Sequence, residues 1–335
     1  MGNVEAEEVE WLWKPYIPLG KITILQGDPG LGKTFLAIQL AAIVSLGEHV
    51  PFCKGGGKIK AGNVIFQTAE DGLADTIKVR LEDAWANCKR IFVIDESKKA
   101  LTLDDERLKE AICRKRAKLV VIDPLQGYLG AGTNMHRANE IRPLMTRLNK
   151  IASEYGCAIV LIGHQTKAQG NNAIYRGLGS IDIAAAARSI LVVCKVPEFE
   201  HRRALVHIKS SLEANGQTIL FDLDPEQGFD WVGLSNLTID DFSRNRQKEG
   251  VKQEVTLLNE CMEFLQAALS EKPIPATEIK DSALAEGFTE VTINRAKKAM
   301  QVHSFKGKGS GGQWYWGLKD SQSKSDDKVD NLDNL

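Results

Sequence analysis

The stretch KITILQGDPGLGKT, residues 21–34, decides how the chain is read. Its first half is a short apolar run, and its second half, Gly27-Asp28-Pro29-Gly30-Leu31-Gly32-Lys33-Thr34, fits G-x-x-x-x-G-K-[ST]. The residues that follow, FLAIQLAAIVSL, carry a helical apolar period. Strand, glycine-rich turn and helix in that order are the context that gives this motif its meaning. Glycines let backbone N–H groups turn inward around phosphates, and a helix beginning near Lys33 adds its positive end. Lys33 is expected on the β- and γ-phosphates of ATP, and the Thr34 hydroxyl on Mg²⁺. A glycine-rich turn with a chance Lys-Thr explains neither the spacing nor the flanks.

From residue 21 to about 234, apolar runs alternate with helical patterns, which predicts an α/β fold with a mostly parallel sheet covered by helices. Strands are expected at 21–26, 63–68, 90–95, 118–123 and 158–163, and helices around 34–46, 73–85, 104–114 and 141–155. The runs at 187–195, 204–210 and 217–223 read as a meander that extends the sheet, antiparallel in part.

The run LVVID ends an apolar strand on Asp123, as a Walker B motif does, and places this acid on the metal. The acid that activates water should stand at another strand end near the γ-phosphate. Glu70, closing NVIFQTAE, is the candidate base, with Asp71 beside it as the alternative. After AIVLIG come His164, Gln165 and Lys167, polar groups placed to sense the γ-phosphate. Two long polar loops, 127–139 and 167–180, adjoin these strand ends, where ligands bind in open α/β sheets.

The chain has 335 residues, more than one hydrophobic core usually serves, so a second domain is expected. The polar stretch DDFSRNRQKEG (240–250) reads as a linker between an ATPase domain (1–239) and a smaller domain (251–318). Three short helices, near 255–269, 276–286 and 290–301, followed by the glycine-rich hairpin of 305–318, describe a winged helix. The last residues, 319–335, are polar and acidic without apolar period and read as a disordered tail.

A net charge of -1 gives no long-range attraction to nucleic acid, so the placement of charge carries the argument. Between Val291 and Leu318 stand Arg295, Lys297, Lys298, Lys306 and Lys308 with no acid, which favours a phosphate-binding face in the small domain. Trp314 and Trp316 alternate there and read as hairpin packing. The six cysteines are too widely spaced for a zinc or redox motif and read as reduced thiols. The N-terminus is acidic where a secretion signal is basic, and no apolar run reaches membrane-span length, so a cytoplasmic protein is expected.

With these residues in view, the chain resembles the RepA-like hexameric helicase family of RecA-fold P-loop ATPases encoded by plasmids and phages. The likeness covers about residues 11–223 and is carried by WLWKPYIPLGKITILQGDPGLGKT, FQTAED, LVVIDPL, GHQTK, RGLGSIDIAAAARSILVV and HIKSSL, each in the family's order. It implies Glu70 as catalytic base, Asp123 as Walker B acid and His164 as sensor. It also implies that Arg188 or Lys209 reaches the ATP of a neighbouring subunit. The chain departs from RepA itself in its long C-terminal extension.

The expected protein is therefore an ATP-driven, ring-forming DNA translocase or helicase of phage or mobile-element replication. Single-stranded DNA would pass the ring loops and duplex would meet the C-terminal domain, with a primase or replication initiator as possible partner. Two rivals stand beside it: a RecA- or KaiC-type ATPase that pairs DNA or switches partners, and a DNA-binding regulator that uses ATP only to assemble.

Overall fold

The computed structural model describes residues 8–53, 57–130, 132–135, 137–164, 181–270, 272–306 and 313–318. Gln165, Lys167, the loop 167–180, Lys308 and the tail 319–335 lie outside the described residues. The chain divides into two compact units, Met1–Phe242 and Ser243–Leu335.

In chain order the first unit holds strands β1 (Trp11–Trp13), β2 (Ile17–Pro18) and β3 (Ile22–Gly27), helix α1 (Lys33–Leu46) and strand β4 (Asn63–Thr68). Helix α2 (Lys78–Asp83), strand β5 (Ile91–Phe92), helix α3 (Glu106–Lys115), strand β6 (Ala117–Asp123), helix α4 (Ala138–Tyr155) and strand β7 (Ala158–His164) follow. Helix α5 (Ile181–Ala186) leads into strands β8 (Ser189–Lys195), β9 (Arg202–Ser210), β10 (Thr218–Asp224) and β11 (Gly228–Ser235). Nine of these strands form one sheet in the order β11-β10-β9-β8-β3-β7-β6-β4-β5. Strands β8, β3, β7, β6, β4 and β5 run parallel, and β9, β10 and β11 extend the sheet antiparallel, as the sequence predicts.

Alternation along each strand divides the core between the two faces. Leu25, Val64, Phe66, Leu119, Val121, Val160 and Ile162 face α1, α2 and the β1–β2 hairpin. Ile22, Ile24, Ile65, Val120, Ile122, Ile159 and Leu161 face α3, α4 and α5. Helix α3 is capped by Asp105, whose side chain accepts from the Arg107 N–H, and it buries Leu108 and Ile112 one turn apart. Helix α4 buries Ile141, Met145, Leu148, Ile151 and Ala152, the stripe of a helix laid on a sheet.

Local departures from the expected elements have physical causes. The strand expected over 90–95 pairs only at Ile91 and Phe92, because the next residues turn to satisfy Gln67: its amide donates to the Ile94 carbonyl at 3.3 Å and accepts from the Ile94 N–H at 2.6 Å. The helix expected over 73–85 begins as a wide π turn, Leu73–Ile77, before α2 proper. Strand β11 lies beyond the expected meander; its side chains alternate between exposed and half-buried, and Phe229 and Trp231 pack on Phe221. Its ladder with β10 skips Val232, since Leu220 pairs with Gly233 and Phe221 with Trp231, so Val232 is a β-bulge on the outermost strand.

In the second unit, helix α6 (Ile239–Leu269) crosses the division, and strand β12 (Ile274–Pro275), helices α7 (Ala276–Ala285) and α8 (Glu290–Ala299) and strands β13 (His303–Lys306) and β14 (Trp314–Gly317) follow. The stretch 240–250, expected as a linker, is helical: it lacks proline and is rich in Arg, Gln, Lys and Glu, which favour helix. Cys261, Leu265 and Leu269 of α6 pack with Ile279, Ala283, Ile293, Ala296 and Trp316 in a core of their own. The three strands form an antiparallel sheet in the order β12-β14-β13.

A buried polar chain ties the N-terminal hairpin to the sheet of the first unit. The Ser189 hydroxyl donates to the Tyr16 carbonyl at 2.6 Å, which leaves its oxygen to accept from His207 Nε2 at 3.1 Å. His207 Nδ1 accepts from the Gly216 N–H at 2.9 Å, and the Tyr16 hydroxyl donates to the Gln217 carbonyl at 2.7 Å. Residue 216 must be glycine, because a Cβ there would stand 2.5 Å from the Tyr16 ring.

The two bonds made by the imidazole need a neutral His207, and burial lowers its pKa from 6.5 to about 4. The unfolded chain takes up the proton first, so stability is intact above pH 6.5 and falls as pH drops towards 4. The loss is expected to reach about 3 kcal/mol, because each pH unit between the two pKa values is worth ~1.36 kcal/mol. Chemical denaturation of the protein and of His207→Gln between pH 7 and 4 checks this. The variant should be less stable at pH 7 and should lose less on acidification; equal slopes would exclude His207 as the titrating group.

Candidate functional site

The site is built where β3 gives way to α1. All six residues of β3 are buried, which fixes its end at Gly27. The turn enters α1 through Gly32, whose φ of 85° is left-handed, and a Cβ at this position would stand 2.7 Å from Leu223 Cδ2. No acid occupies the first turn of α1, so the positive end of the helix dipole is uncompensated and faces the loop. Lys33 is 4% exposed, and its ammonium donates to the carbonyls of Gly27 and Asp28 at 3.0 and 2.8 Å. The residues expected to cradle a phosphate chain thus form one closed turn, with its cation folded over the strand end.

Sheet order brings the other candidates to the same edge. His164 is level with Gly27 on the neighbouring strand, and Asp123 is level with Thr68 at the ends of β6 and β4. The Thr34 hydroxyl donates to Asp123 Oδ2 at 2.6 Å. The Ala69 N–H donates to the Asp123 carbonyl at 2.9 Å, which ties the segment bearing Glu70 to the end of β6. The Glu70 carboxylate lies 3.1 and 3.2 Å from His164 Nε2, a contact in which the imidazole N–H donates to both oxygens. His164 Nδ1 is buried and has no hydrogen-bond partner among the described residues.

The geometry separates the two candidate bases. Asp71 is held by Arg80 at 3.0 Å, and the guanidinium lies 4.4 Å from the centre of the Phe35 ring on α1. Glu70 is 58% exposed at the strand edge and touches His164. Arg80 has no marker in the sequence that announces this role, since the pairing depends on the π turn that sets the phase of α2.

Electrostatics follow from burial. Burial lowers the pKa of Lys33, while the negative charges of Asp123, Asp28 and Glu70 pull it back up. Burial raises the pKa of Asp123 above the ordinary carboxylate range; the Thr34 hydroxyl opposes this, Glu70 adds to it, and Lys33 and His164 oppose it. A buried carboxylate beside a hydroxyl is a pair of hard oxygen donors that gains from a divalent cation, and this fits Mg²⁺ held by Thr34 and Asp123.

Arg188 and Lys209 are not part of this constellation. Ser189 is level with Thr23 and Val193 with Gly27, so Arg188 stands at the opposite end of the parallel strands, roughly 17 Å from its own phosphate loop at 3.3 Å per residue. The Arg188 side chain is exposed. The Lys209 ammonium donates to the carbonyls of Ala184 and Ala187 at 2.6 and 2.9 Å, where it caps the end of α5.

Among known proteins, the family described as AAA domain matches residues 2–170. The DNA repair protein RadA of Bacillus subtilis (strain 168) is 25% identical over 150 residues, which cover 44% of this chain and 28% of that protein. RadA of Halalkalibacterium halodurans is 28% identical over 151 residues, with the same two shares. The matched stretch therefore spans under a third of the length of these curated relatives. Of solved structures, the ATPase domain of another protein is similar at a TM-score of 0.48 and 17% identity, over 64% of this chain and 85% of that one. Because the family match takes in half of the sequence, phosphate loop, Glu70, Asp123 and His164 included, the chain belongs to the AAA domain family.

Proposed function

We propose that this protein hydrolyses ATP and uses the energy as a ring-forming DNA translocase or helicase of the RepA-like type, in the replication of a phage or mobile element. The observation that carries the reading is the convergence of Lys33, Thr34, Asp123, Glu70 and His164 on one edge of the sheet. The phosphate loop would hold the β- and γ-phosphates, and Lys33 would neutralise their charge. Mg²⁺ held by Thr34 and Asp123 would supply further charge neutralisation when bound. Glu70 would take a proton from the attacking water, with His164 fixing its carboxylate and sensing the γ-phosphate.

Arg188, exposed and far from its own loop, suits a cation offered to the next subunit of a ring. Lys209, tied to the end of α5, suits the support of that corner. In the second unit, three helices and a small antiparallel sheet fit a winged helix, for which duplex DNA is the proposed partner. The reading places the protein in the cytoplasm, with a primase or initiator as a further partner; among the described residues, no helix is long and apolar enough to cross a membrane. The name DNA repair protein borne by the RadA relatives favours one rival, a RecA-type ATPase that pairs DNA. Mass measurement with ATP and single-stranded DNA separates the two: a closed hexamer supports the translocase, and a filament supports the rival.

Lys33→Ala should abolish ATP turnover, since no other cation of the motif reaches the transferred phosphate. Glu70→Gln should bind ATP and lose turnover by at least ~10²-fold, the lower bound for a positioned proton acceptor, while Asp71→Asn should retain most activity. The reverse pattern in a steady-state phosphate-release assay would move the base to Asp71.

Arg188→Ala should bind ATP but hydrolyse it ~10³-fold or more slowly when assembled, as expected of a cation supplied in trans. Mixing it with Glu70→Gln protein should restore part of the activity, because some interfaces then join an intact Glu70 to an intact Arg188. No rescue at any mixing ratio would refute the role in trans.

A further inference from the structure

Helix α8 starts cleanly, with the Thr289 side chain accepting from the Thr292 N–H. Its inner face is set by Ile293 and Ala296, which are buried against α6, α7 and Trp316. At 3.6 residues per turn, Val291, Asn294, Arg295 and Lys298 then share the opposite face, and all four are exposed. Val291, an apolar side chain that no core claims, is 61% exposed in the first turn. Glu290, exposed in the first turn, borders that face one turn before Asn294.

Lys297, next in sequence, does not belong to it: its ammonium donates to the Ser304 hydroxyl at 2.6 Å and lies 4.4 Å from the centre of a Trp316 ring. One lysine is thus spent on fixing α8 to the sheet, and the outward face is held in a defined orientation. Exposed Lys306 ends β13, the strand that leads into the hairpin.

The composition of this face is selective. A face that only neutralises phosphates needs cations, and a face that docks a protein helix needs a run of apolar side chains. Val291 is instead a methyl-bearing group in the first turn, and Asn294 and Arg295, an amide and a planar fork, follow side by side one turn on. These are the chemistries that meet the thymine methyl, the N6/N7 edge of adenine and the O6/N7 edge of guanine in a major groove. Helix-turn-helix modules bring the first turns of their last helix to the base edges.

We propose that α8 reads base edges in the major groove of duplex DNA through Val291, Asn294 and Arg295, so that the second unit binds a particular sequence, with Lys298 and Lys306 on the backbone. This rests on the proposed duplex binding by the same unit and adds to it a direct sequence readout.

The test uses the full chain without nucleotide, incubated with a pool of randomised duplexes at several salt concentrations, followed by sequencing of the bound fraction. A short motif should be enriched. Arg295→Ala should lose preference for that motif over its scrambled version by roughly 5- to 150-fold, the discrimination of a bidentate pair. Arg295→Lys, which keeps the charge and loses the fork, should lose the preference while retaining affinity for the scrambled duplex. Lys306→Ala should weaken both duplexes alike and lower the salt slope by about 1. Salt-dependent binding with no enriched motif, or equal weakening of both duplexes by Arg295→Lys, would overturn the base readout and leave duplex binding standing. No duplex binding at any salt would overturn both.

Discussion

The bond between the Thr34 hydroxyl and Asp123 holds the site together, because it joins the first turn of α1 to the end of β6, 89 residues on. Neither residue could reach the other unless β6 and β3 ran in the same direction and ended at the same edge. Strand β7 lies between them, and its register with both puts His164 level with Gly27. A shift of one residue in β6 would carry Val121 from the α1 side of the core to the α4 side and turn Asp123 away from α1. Hydrophobic register in the interior and polar chemistry at the edge are therefore one constraint.

Much of this was legible in the sequence, for reasons particular to each residue. The phosphate loop is local: its glycines, its lysine and the start of its helix lie within eight consecutive residues. Asp123 was legible because an apolar strand run that ends on an acid is unusual. The mixed direction of the sheet followed from helices between the early strands and short connections between the late ones. The Arg80 partner of Asp71 was not legible, because that pairing depends on the π turn before α2. Nor was the intramolecular use of Lys209, since the carbonyls it caps lie in α5 and just after it, in a short helical stretch 22–25 residues upstream that carries no strong period. The helical course of 240–250 was missed because polarity was read as a break, whereas helix propensity depends on side-chain shape and not on polarity alone.

The two units also differ in how their polar groups are spent. In the first, burial presses Lys33, Asp123 and His207 away from their ordinary titration ranges, and each is held by named partners. In the second, the outward face of α8 is exposed on a helix whose inner face is locked by a small core.

The bulge at Val232 bears on how the outer edge of the sheet meets another strand. An eight-residue outer strand presents main-chain donors and acceptors to any passing strand, and Val232 and Leu234 would add apolar side chains to that invitation. The extra residue breaks the repeat and increases the local twist, so an incoming strand meets a mismatched row. Open-ended stacking of sheets along this edge is thereby disfavoured. A residue that contributes little to the core would then act as a guard against fibrous aggregation.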